Sequence, residues 1–81
     1  MGLIRFAARN RLLAEIRYHG VSQVVEPYSL RMPATGNLLL YVFEVRRGSG
    51  TGEGIKAYKL AELEQVTVTD QPFRPRYRVE L

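Results

Sequence analysis

The sequence predicts a mainly β domain: a small five-stranded bent sheet or barrel of the SH3 or Sm kind, led by one short N-terminal α-helix. Three observations point there. Apolar residues recur at a period of two through most of the chain after Leu12, the spacing of half-buried strands. These runs are short and separated by turn residues, the pattern of small all-β folds. Helical spacing is confined to the first dozen residues. Eighty-one residues hold a single domain over 1–81, with the helix at about 3–11 and the barrel at about 12–81.

Leu3 to Arg11 contains good helix formers and sets Leu3, Phe6 and Ala7 on one face, with Arg5 and Arg9 off it. From Leu12, Leu12, Ala14, Ile16 and Tyr18 alternate with Leu13, Glu15 and Arg17, which describes a strand. His19-Gly20 turns the chain, and Val24 to Leu30 is extended again. Pro27 inside that stretch requires a sheet edge or a bulge, because proline cannot donate to a ladder. Pro33 to Asn37 reads as a loop.

Leu38 to Arg46 is the strongest strand, with Leu38, Leu40 and Val42 on one face and Leu39, Tyr41 and Phe43 on the other. Four glycines between Gly48 and Gly54 predict a flexible hairpin loop. Ile55 to Leu60 and Gln65 to Thr69 are further strands, joined by a helical turn at Ala61-Glu62-Leu63. Asp70-Gln71-Pro72 reads as a turn, and Phe73 to Leu81 as a final extended segment.

Composition narrows the function. Hydrophobic residues at 46% and charged residues at 25% are proportions of a folded chain rather than a disordered one. The absence of cysteine removes disulfides, thiolate metal sites and cysteine nucleophiles, and suits a reducing cytoplasm. The longest apolar run, Leu38 to Phe43, is far shorter than a membrane span. The expected setting is therefore cytoplasmic and away from the membrane. A single histidine, His19, placed in a turn and read as a solvated hairpin residue, offers no base beside a nucleophile. No enzyme, metal site or cofactor is expected. The glycine run lacks the spacing of a phosphate loop and leads into a strand.

The basic residues carry the most information. The net charge of +4 favours an anionic partner. Strand alternation would send Arg74, Arg76 and Arg78 to one face at roughly 7 Å intervals, close to the phosphate spacing of an extended single strand. The same alternation would send Phe73, Tyr77 and Val79 to the other face. The alternative for the arginines is a solvated face, or ion pairs with Glu26, Glu44 and Glu64. Lys56 and Lys59 flank Tyr58 and supply a second basic group at the barrel mouth. Most aromatic residues are needed for the core, leaving Tyr28 and Tyr41 for base stacking.

In order, the helix, Ile16-Arg17-Tyr18, Val25-Glu26-Pro27-Tyr28-Ser29-Leu30, the apolar strand after Gly36, Lys56-Ala57-Tyr58-Lys59-Leu60 and Phe73-Arg74-Pro75 resemble the WYL domains of bacterial transcription regulators. The version is divergent and stands alone: Leu38-Leu39-Leu40 occupies the place of Trp-Tyr-Leu, and Glu62 falls where that family has arginine. The resemblance implies a barrel that senses single-stranded nucleic acid or a nucleotide and serves transcription regulation. The expectation is a non-enzymatic module binding such an anion through Lys56, Tyr58, Lys59, Arg74, Arg76 and Arg78. The alternative is an interaction module that docks a regulator protein or a second copy through the helix face or an open strand edge.

Overall fold

A computed structural model describes residues 2–81. The helix α1 spans Gly2–Arg9, and five strands follow: β1 Leu12–Tyr18, β2 Val21–Arg31, β3 Leu39–Arg47, β4 Gly50–Lys59 and β5 Leu63–Pro72. They form one antiparallel sheet in the order β4-β3-β2-β1-β5. A 3₁₀ turn at Leu60–Glu62 joins β4 to β5 where the sequence places a helical turn. These two strands are the outer members of the sheet and do not pair, so the sheet is bent but unclosed.

Alternation gives the sheet two covered faces. On the first, Ala14, Ile16, Val25, Leu40, Val42 and Tyr58 form the main core under Ile4 and Ala7 of α1. On the second, Leu13, Val24, Tyr28 and Phe73 form a smaller cluster, extended by Phe43, Val45 and Val79. The C-terminal segment, 73–81, supplies the cover on that side.

Several expectations need correction. The helix buries Ile4, Ala7 and Ala8, while Leu3 and Phe6 stand 53% and 54% exposed. Both sets satisfy helical spacing, but the two alanines let the helix axis lie close to the sheet, which a phenylalanine would prevent. Pro27 lies in β2, the middle strand of the sheet, rather than at an edge. The bulge that the sequence offered as the other way to seat a proline is present, as a register shift between Pro27 and Ser29 against β3.

The glycine run is not a loose loop. Gly50 to Gly54 belong to β4, paired with β3 through a further register shift between Glu44 and Arg46. A Cβ at Gly52 would lie 2.2 Å from the Glu44 carbonyl oxygen, so this glycine is there for close backbone approach. His19 and Gly20 turn β1 into β2 with φ of 50° and 78°, the positive pair of a type I′ hairpin. Asp70 and Gln71 continue β5 instead of turning, and residues 73–81 form no strand. A bend at Arg76 and Tyr77 breaks the alternation expected there.

Candidate ligand groove

The bent C-terminal segment is fixed to the second face of the sheet by a set of specific contacts. The Phe73 amide donates to the Arg11 carbonyl at 2.8 Å, and the Glu80 amide to the Tyr28 carbonyl at 2.8 Å. Between them, Arg76 donates from its amide to the Tyr28 hydroxyl at 3.0 Å and from Nε to both Glu26 carboxylate oxygens at 3.3 Å. Its Cζ lies 4.0 Å from the Phe43 ring centroid, a cation–π contact. Glu26 is only 4% exposed, so the guanidinium compensates a carboxylate that the fold has desolvated. The Tyr28 hydroxyl donates to Glu26 at 2.5 Å, and burial followed by that hydrogen bond pushes its pKa up to about 12.

A groove of about 480 Å³ opens between this segment and the sheet. Its sheet wall is Tyr28, Ser29 and Arg31 of β2, Tyr41 and Val42 of β3, and Ile55 of β4; Tyr77, Arg78 and Glu80 make the opposite wall. Tyr77 meets Tyr28 edge to face, with ring centroids 5.4 Å apart. At one end Arg31 donates from Nη2 to both Glu80 carboxylate oxygens, each at 2.9 Å, while Arg78 carries no ion pair among the described residues. The arrangement combines exposed aromatic rings, an apolar floor and cations at the rim, which suits a planar ligand with an anionic group.

The residues singled out from sequence divide between the two faces. Tyr28, Tyr41 and Arg78 line the groove, and Arg76 braces it. Lys56 and Tyr58 belong to the opposite, helix-covered face, as their pairing opposite Val42 and Leu40 requires. Tyr58 is 4% exposed and donates to Glu44 at 2.8 Å. Glu44, 1% exposed, also accepts from the Glu53 amide and from Arg47. Burial, then the Glu44 contact, holds the Tyr58 phenol well above its ordinary range.

Lys56 pairs with Glu53, and Lys59 with Glu62 at 3.8 Å. The Lys56 contact holds the Glu53 carboxyl below its usual range. Arg74 stands apart beside Pro72, Phe73 and Pro75. The row of three evenly spaced arginines therefore does not exist in the folded chain, because the bend turns Arg76 onto Glu26. Of the carboxylates named as pairing candidates for that row, Glu26 takes Arg76, whereas Glu44 pairs with Arg47 and Glu64 with Arg17.

Sequence reasoning missed Arg31, Ser29, Ile55, Tyr77 and Glu80. The pairing of Arg31 with Glu80 joins residues 49 positions apart, and no periodicity reports such a contact. His19 also differs from a plain solvated turn residue. It stacks on Tyr18 with centroids 4.3 Å apart, and its Nε2 lies 2.5 Å from Glu62 Oε1. That contact lowers the Glu62 carboxyl below its ordinary value. Among the described residues no group of three His, Cys, Asp or Glu is placed to hold a metal ion, and no helix is long and apolar enough to cross a membrane. No family model, no curated protein and no solved structure matches this chain.

Proposed function

We propose that this chain is a non-enzymatic sensing module that binds a compact anionic ligand bearing an aromatic ring, a nucleotide, in the groove between β2, β3, β4 and the C-terminal segment. The groove carries this reading: about 480 Å³, walled by Tyr41 and Tyr77, with Arg78 free at its rim. Its size falls within the range of small-molecule sites, and Ser29, Arg31, Arg78 and Glu80 supply its polar groups. Tyrosine faces hold a base with little regard to its identity, and a guanidinium recognises phosphate through paired N–H donors.

A mononucleotide fits this geometry better than an extended single strand. A strand would need cations continuing along one surface, whereas Lys56 faces the other side, Lys59 is paired, and Arg76 is committed to Glu26. A role in transcription regulation draws its support from the WYL-like order of sequence blocks alone. The non-enzymatic part of the reading draws on the sole histidine, whose Nε2 is engaged by Glu62.

Titration with AMP and with a labelled twelve-nucleotide strand, across salt concentrations, tests the proposal. Saturable AMP binding that weakens by about tenfold in Arg78→Gln and Tyr41→Ala is expected. Strand binding without AMP binding, with a log-log salt slope of about −0.7 per neutralised phosphate, would favour the extended ligand instead. Binding to neither would overturn the reading.

A second reading rests on the two unpaired edges, β4 and β5, and on the exposed Leu3 and Phe6 of α1. Both features suit docking of a protein or a second copy. A dimer detected by light scattering that ignores salt and is lost in Phe6→Ser would support it; a monomer at high concentration would remove the second-copy form.

A further inference from the structure

Resting on the groove as the ligand site, we infer that Glu80 is an internal stand-in for the ligand's anionic group, so that binding displaces Glu80 from Arg31 and loosens the outer half of the C-terminal segment. Arg31 donates from Nη2 to both Glu80 carboxylate oxygens, a charge-assisted contact that the oxygens of a ligand phosphate or carboxylate would accept equally well. The pair stands at the end of the groove, and both residues line it. Its side chains are 58% and 42% exposed, so water screens the attraction and an incoming anion meets little resistance.

The segment is held unequally along its length. Its inner half is anchored by the buried ring of Phe73, by Arg76 on the desolvated Glu26, and by the Arg76 contact with Phe43. Beyond the bend at Arg76 and Tyr77, the half-buried Val79 and Leu81 pack against the two clusters, and the polar hold consists of the Arg31–Glu80 pair and the Glu80 amide bond to Tyr28. Both converge on Glu80. Displacing that one carboxylate therefore removes the side-chain part of the outer polar hold and leaves the Glu80 amide bond as the only polar contact described there, with the anchored half in place. The groove itself would thereby report occupancy as a change in the exposed chain from Tyr77 onward, a form that a partner could read.

The test compares AMP with adenosine, which has the ring and lacks the phosphate, on the full chain and on Glu80→Gln and Arg31→Gln. Glu80→Gln should bind AMP about two- to fivefold more tightly, since a weak exposed competitor is gone. Arg31→Gln should bind AMP about tenfold or more weakly, and adenosine should be indifferent to both changes. Amide hydrogen exchange over Val79 to Leu81 should accelerate with AMP and not with adenosine, while that of Phe73, whose amide bonds to Arg11, should not change. AMP binding that is equal in all three proteins, with unchanged exchange, overturns the displacement while leaving the groove reading intact. Absence of AMP binding in both the parent chain and Glu80→Gln overturns the two together.

Discussion

Two buried glutamates, Glu26 and Glu44, decide what several of the tyrosines and cations can do. Each is satisfied by a tyrosine hydroxyl and an arginine: Tyr28 with Arg76, and Tyr58 with Arg47. Removing Arg76 leaves the Glu26 carboxylate desolvated without its counter-ion. Because the Arg76 side chain is half exposed, Arg76→Ala should cost about 1–3 kcal/mol rather than the full penalty of a buried pair. Arg78→Ala should stay within about 0.5 kcal/mol, so urea unfolding of the two separates a brace from a free rim cation. Tyr28 adds a pH dependence. Its phenol is raised from 10.0 to about 12, so the folded state holds the proton more tightly than the unfolded chain. The stability from that difference is fully present below pH 10 and is lost as pH rises through about 12. Tyr28→Phe should accordingly flatten the alkaline limb of a thermal-unfolding series. The sequence shows both glutamates but not their burial, since a charged residue inside a strand reads the same whether it meets solvent or a partner from a distant segment.

At the scale of elements, the strands and their turns follow from local chemistry, and the errors come where a backbone constraint replaces side-chain periodicity. Gly52 illustrates this. Composition reads it as flexibility, while the fold uses it to admit the Glu44 and Val45 backbone at distances no Cβ tolerates. Gly52→Ala should destabilise by about 1–3 kcal/mol, because the obstructing atoms are main chain and cannot turn aside. Gly50→Ala, which meets only the Arg47 carbonyl oxygen at an ordinary 3.6 Å, should be close to neutral, and a denaturation pair makes the comparison. The helix teaches a related lesson. Two stripes of equal spacing compete over eight residues, and the smaller side chains win because the helix must approach a sheet. Ile4→Ala should therefore cost about 2–4 kcal/mol and Phe6→Ala little, the reverse of what the Leu3–Phe6–Ala7 stripe implies.

For the whole molecule, the bent sheet divides the charged residues between surfaces that one ligand cannot span. Lys56→Gln should leave AMP affinity within about twofold of the parent, because that lysine pairs with Glu53 on the helix-covered side, whereas Arg78→Gln should weaken it. Isothermal titration of the two variants distinguishes a groove ligand from a ligand drawn to net charge. The sequence by itself determined the β character, the leading helix, the His19-Gly20 hairpin, the corner between β4 and β5, and the presence of Tyr28, Tyr41 and Arg78 in the candidate set. Each of these follows from period, turn chemistry or residue type within a few neighbouring positions. Only the tertiary structure decided which cations are free, that the C-terminal arginines do not form a row, and that Arg31 and Glu80 close one end of a groove. Those outcomes depend on where a bend at Arg76 and Tyr77 carries the chain's last residues across strands laid down some fifty positions earlier. Contacts made at that separation are fixed by packing and compensation of buried charge, and leave no periodic trace along the chain.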